Sequence, residues 1–214
     1  MSSTSLALTF FLFFSFNPHF CSFTASAASD DVEITYGSVV KMMHEKTKFR
    51  LHSHDLPYGS GSGQQSVTGF PTVDDANSYW IVRPELGTSA KQGDPIVSTT
   101  IIRLQHMTTR KWLHSHSFES PLSGNQEVSC FGNDGKSDMG DHWRLIVEGA
   151  GKMWMKDQRV RLQHVDTGVY LHSHKKKYGM GQQEVCGVIN KQSDNIWMAA
   201  EGVYFPVNKT KHST

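Results

Sequence analysis

The apolar and polar positions of this chain alternate over short runs and hold no helical period over any long window. Val40-Lys41-Met42, Ile102-Arg103-Leu104 and Val160-Arg161-Leu162 each read apolar, basic, apolar, the period of two expected of a half-buried strand. A strand is predicted next through the tetrapeptide LHSH, at Leu51 to His54, Leu113 to His116 and Leu171 to His174. Alternation puts the leucine and serine on the buried face and both histidines on the other. Gln65-Ser66-Val67, Gln126-Glu127-Val128 and Gln183-Glu184-Val185 predict a further set of strands. Ser78-Tyr79-Trp80, Asp141-His142-Trp143 and Asn195-Ile196-Trp197 predict a closing set, whose tryptophans are large enough to cover the base of each unit.

These sets recur in order. The stretches MMHEKTKFRLHSH, LQHMTTRKWLHSH and LQHVDTGVYLHSH all obey H-x-x-T-x-x-x-L-H-S-H, and the leucine returns after 62 and then 58 residues. Turns such as Asp166-Thr167-Gly168 favour hairpins between the strands, and Gly-rich loops such as 58–63 follow LHSH. Three units of about four strands predict an all-β fold, a β-trefoil with pseudo-threefold symmetry. A propeller needs at least about four blades, and a three-unit solenoid leaves sheet edges to cap. The units are placed at residues 33–87, 95–150 and 151–206, with a polar tail at 207–214.

The apolar run from Leu6 to Phe16 is too short to span a bilayer, and small residues follow at Ala25-Ser26-Ala27. Residues 1–28 therefore read as a secretory signal peptide, cleaved after Ala27 or Ala28. All 21 Lys and Arg and all 20 Asp and Glu lie beyond it, for a net charge of +1. No basic surplus draws the protein to nucleic acid or anionic lipid, and no second apolar run supports membrane insertion. Cys21 leaves with the signal, and Cys130 and Cys186 remain either as a disulfide or as two buried free thiols. Asn208-Lys209-Thr210 is a glycosylation sequon, and the chain ends KHST without a retrieval tetrapeptide.

Two histidines at i and i+2 on a strand are able to share a zinc ion, given a further ligand. The threefold recurrence instead favours structural hydrogen bonding, and no metal or other cofactor is expected. His44-Glu45-Lys46-Thr47-Lys48 departs from the zinc-protease run at Lys48 and does not lie on a helix. Neither a G-x-S-x-G elbow nor a phosphate loop is present, so no catalytic residues are assigned. If a binding surface lies where the LHSH and Gln-x-Val strands approach, its candidates are His52, Gln65, His114, Gln126, His172 and Gln183. Their recurrence in all three units favours a role in fixing hairpins to one another.

The L-H-S-H repeats with their Gln-x-Val and closing Trp resemble the MIR repeat. A signal peptide followed by three such units resembles the stromal cell-derived factor 2 family, and HEKTKFRLHSHDLPYGSGSGQQSVTGF is very close to that family's pattern. The resemblance spans about residues 33–206. It implies a β-trefoil without catalysis in the endoplasmic-reticulum lumen, working with a luminal Hsp70 and a J-domain co-chaperone. The implied task is folding and quality control of maturing secretory clients, including receptor kinases. With KHST at the end, the expectation is retention by a retained partner or partial secretion. Exposed aromatics such as Phe70 and Phe118 are candidates for client contact. The alternative is a mannose-type carbohydrate-binding module, with Phe49, Trp112 and Tyr170 as stacking candidates.

Overall fold

The computed structural model describes residues 31–208; the expected signal peptide and residues 209–214 lie outside the described residues. Each unit contributes four strands. They are β1 Val39–His44, β2 Arg50–Pro57, β3 Gln65–Phe70 and β4 Trp80–Pro84 in the first unit, and β5 Ile101–His106, β6 Trp112–Glu119, β7 Gln126–Phe131 and β8 Trp143–Val147 in the second. The third has β9 Val160–His164, β10 Tyr170–Lys177, β11 Gln183–Val188 and β12 Trp197–Val203. The first and last strands of the units close a six-stranded antiparallel barrel in the order β1, β4, β5, β8, β9, β12 and back to β1. The hairpins β2–β3, β6–β7 and β10–β11 cap one end, where β3, β7 and β11 pair in a triangle. This is the β-trefoil.

The alternating pattern explains the closure. Val40 and Met42, Ile102 and Leu104, and Val160 and Leu162 are inaccessible to solvent and fill the barrel with Leu51, Leu113 and Leu171. Trp80, Trp143 and Trp197 are fully buried, and each indole Nε1 donates to the carbonyl of the LHSH leucine of its own unit at 2.8, 2.9 and 3.0 Å. Truncating a buried tryptophan of this kind costs about 3–5 kcal/mol. Three short segments that the periodicity does not reveal plug the opposite end. Ile34, Ile96 and Trp154 are fully buried there, linked by Ile34 N to Trp154 O at 2.8 Å and Trp154 N to Ile96 O at 2.9 Å.

The H-x-x-T turn needs a left-handed residue after its threonine, with φ of 61° at Lys48, 60° at Arg110 and 74° at Gly168. Glycine adopts this conformation freely, whereas lysine and arginine hold it at a cost of about 1–2 kcal/mol. In each copy the N–H of that residue donates back to the carbonyl of the first histidine at 2.9 Å, which tightens the turn.

Candidate functional site

The first histidine of each motif is a keystone between units. His44 packs on Trp197, His106 on Trp80 and His164 on Trp143, with ring centroids 5.0 Å apart in every case. Each Nδ1 bonds the motif threonine at 2.8–2.9 Å, and each Nε2 bonds a carbonyl of the preceding unit, at Asp194, Asn77 and Gly140. Burial is the main cause that holds all three below the ordinary histidine value, so the rings work as neutral hydrogen-bonding groups. Two of the glutamines carry the link onward. Gln65 Nε2 donates to Ser53 at 2.7 Å and across the seam to Thr109 at 3.0 Å; Gln126 Nε2 donates to Ser115 at 2.8 Å and to Thr167 at 2.7 Å.

The LHSH histidines turn outward from the barrel and meet carboxylates or amides. His52 Nδ1 lies 2.6 Å from Asp75, His114 Nδ1 lies 2.9 Å from Asp141, and Asn195 Nδ2 donates to His172 Nδ1 at 3.3 Å. His116 and His174 face Glu127 and Glu184, at 3.0 and 2.5 Å. Both glutamates are fully buried and clasp the loop of the preceding unit: Glu127 accepts from Ser62, and Glu184 from Ser120 and from the N–H groups of Leu122 and Ser123. Burial pushes both carboxyls up, but the hydrogen bonds outweigh it and leave them below the ordinary value. The first unit has Ser66 at this position, which bonds Leu56 O at 2.9 Å and, among the described residues, clasps no neighbouring loop. Sequence reasoning missed the two glutamates, although a glutamate in the middle of a Gln-x-Val strand is an unusual choice for a buried position.

The six residues considered as a binding surface are thus dispersed around the threefold axis. His52, Gln65, His114, His172 and Gln183 are buried and Gln126 is half-buried, so together they form no open face. Two of the three stacking candidates, Trp112 and Phe49, are covered as well, and Tyr170 is half-buried. The Arg103 guanidinium lies 4.3 Å from the centre of the Trp112 ring, and Lys177 lies over Phe49.

Two clusters have ligand-type side chains within reach of one another: His172, His174 and Cys186, and His114, Asp138 and Asp141. In the first, Asn195 Oδ1 already accepts from Gln192 N, so its amide donates to His172 Nδ1 and leaves the proton on Nε2. In the second, Asp141 is spent on Ser137 and the Asp138 N–H as well as on His114. Both arrangements are hydrogen-bonded structure.

Of the two readings of the cysteines, the free thiols are observed, and both are buried. Cys186 pairs across the sheet with Glu127, while Cys130 sits three residues further along β7. That offset is about 10 Å along a strand and reverses the face, beyond the ~7 Å that a disulfide bridges. Burial pushes each thiol up to about 12. Asn208 is exposed, and its Nδ2 donates to Gln92 O at 2.8 Å and to Asp94 at 2.7 Å, so both amide hydrogens are engaged.

Among the cavities at the seams, two bear on binding. One of about 440 Å³ lies where the third unit meets the first, beside Ser66, and is lined by Leu56, Pro57, Tyr58, Pro121, Tyr178 and Met180. Met180 is 92% exposed at a left-handed φ of 60°. The other, of about 450 Å³, lies between the first two units and is lined by Arg83, Arg103, Lys91, Gln105, Trp112 and Asp134, among others.

A barrel closed by repeated histidine keystones defines a β-trefoil of MIR units, and the MIR domain model matches residues 50–199. A designed threefold-symmetric protein, 14% identical with a TM-score of 0.52, shares the fold alone. At closer range the chain is 66% identical to the stromal cell-derived factor 2-like protein of Arabidopsis thaliana, over 95% of this chain and 96% of that one. It is 47% identical to stromal cell-derived factor 2 of Mus musculus, over 85% and 86%. The chain belongs to the stromal cell-derived factor 2-like family. The crystal structure of the SDF2-like protein from Arabidopsis thaliana superposes with a TM-score of 0.82 at 71% identity, covering 83% of this chain and all of that one. A protein O-mannosyltransferase complex of S. cerevisiae, bound to its sugar donor, contains a similar domain at 30% identity and a TM-score of 0.72, over 87% of this chain and 28% of that one.

Proposed function

We propose that this protein is a non-catalytic subunit of the endoplasmic-reticulum lumen that works with an Hsp70 and a J-domain co-chaperone in folding and quality control, including receptor kinase maturation. The observation that carries the reading is the similarity to stromal cell-derived factor 2-like proteins over nearly the whole of both chains. The site chemistry supports it. The histidines and glutamates of the repeats, with Gln65 and Gln126, are spent on architecture, and what remains at the surface is suited to binding. The apolar cavity beside Ser66, with Leu56 and Met180 at its rim, offers contact to an unfolded or maturing client. Phe118, half exposed, adds to it, whereas Phe70 is stacked on His52. Retention in the lumen then comes from the co-chaperone complex.

The test is reconstitution. Purified protein should bind the J-domain co-chaperone and slow the aggregation of an unfolded secretory client in its presence. Absence of both effects overturns the reading.

A further inference from the structure

Arg83 on β4 stands directly opposite Arg103 on β5. Like charges in facing positions destabilise an antiparallel pair, and the other seams avoid the conflict. The residue equivalent to Arg103 is Arg161 at the next seam, where it faces Ile146 and forms an ion pair with Glu148 at 2.7 Å. At the remaining seam the equivalent Lys41 faces Glu201.

Among the described residues, neither Arg83 nor Arg103 has a carboxylate at ion-pair distance. Arg83 Nε donates to Gln105 at 3.3 Å; Arg103 donates to Pro84 O at 2.8 Å and to Ser137 at 2.6 Å. Asp134 is committed to Arg110 and Gln105. Burial lowers both arginines from their ordinary value. At Arg103 the Asp141 charge works against this and Arg83 adds to it; at Arg83 the leading charge is Arg110. Guanidinium groups remain charged throughout. Both arginines line the 450 Å³ cavity with Lys91, beside an apolar wall of Pro84, Ala90 and the 48% exposed Leu86.

We propose that this seam binds a peptide carboxylate, an Asp or Glu side chain flanked by an apolar residue, held between the facing arginines with its neighbour against Leu86. A carboxylate matches the fork of a guanidinium and relieves the Arg–Arg repulsion. The adjoining apolar wall favours a peptide over a bare oxyanion. The proposal goes beyond the chaperone reading, since it rests on the charges of one seam and stands whichever complex the protein joins.

The test uses the mature chain and fluorescence anisotropy of a short labelled peptide of alternating Glu and Leu, against a counterpart with Gln for Glu. The Glu peptide should bind at least about tenfold more tightly, a difference of about 1.4 kcal/mol. Arg83→Ile, which installs the residue found opposite Arg161, should weaken that binding about tenfold while the melting temperature holds or rises. Glu and Gln peptides binding alike, an unchanged affinity in Arg83→Ile, or no binding of either peptide would each overturn it. Complete displacement by inorganic phosphate at equal concentration would do so too, marking a free-anion site. The peptide comparison on the unmodified chain needs no variant to fold.

Discussion

Gln65 of the first unit reaches 3.0 Å across the seam to Thr109 of the second, and Thr109 in turn holds Nδ1 of His106. One threonine thus serves two buried groups from different units. Thr109→Val removes one bond from each, leaving His106 Nδ1 only the weaker backbone N–H of residue 109 at 3.3 Å and Gln65 only Ser53, and should destabilise the protein by about 1–3 kcal/mol. A urea-derived unfolding free energy changed by less than about 0.3 kcal/mol would contradict the keystone role.

Ser66 occupies on β3 the place that Glu127 and Glu184 hold on β7 and β11. Ser66→Glu should therefore fill the apolar cavity, with the introduced carboxylate meeting His54 as Glu127 meets His116. The expected outcome is a folded protein whose delay of client aggregation falls to half or less. A variant that folds and protects clients as well as the parent would remove that cavity from the account.

His172 is held down to about 4, by burial first and His174 next; burial likewise lowers His44, His52, His106 and His164. Unfolded, these rings take up protons near pH 6.5. The unfolded chain therefore binds more protons than the folded one as pH falls through that window. Stability should be full above pH 6.5 and decline toward pH 4, and His172→Gln should make the decline shallower. Denaturation midpoints at pH 7, 6 and 5 check this, and a flat series would contradict it.

Cys130 and Cys186 are separate buried thiols. Alkylation of the unfolded chain without reductant should add two labels to the mature protein, counted by mass, and Cys186→Ser should remove one without loss of fold, since the second unit carries Ser129 opposite His114. No label without reductant, and two with it, would show a disulfide.

The fold was legible because the residues that make it recur. Leu51, Leu113 and Leu171, the three tryptophans and the apolar-basic-apolar strands carry core positions at a fixed order in all three units. The plug of Ile34, Ile96 and Trp154 was not legible, since isolated bridges of one residue pair leave no period to detect. The roles of the LHSH histidines were half legible: their outward turn follows from alternation, but their partners do not. Glu184 meets Ser120, 64 residues away in sequence, and Asp75 reaches His52 from a loop. The facing of Arg83 and Arg103 depends on the register of β4 against β5, which no local pattern encodes.

The central claim is that the repeats build a binding scaffold for luminal folding. It is tested most directly by crosslinking and affinity capture of the tagged protein from the endoplasmic-reticulum lumen, read by mass spectrometry. The account predicts an Hsp70 and a J-domain protein recovered in near-equal amounts with the tagged chain. Their absence, with glycoproteins recovered and then released by free mannose, would contradict it and establish sugar binding in its place.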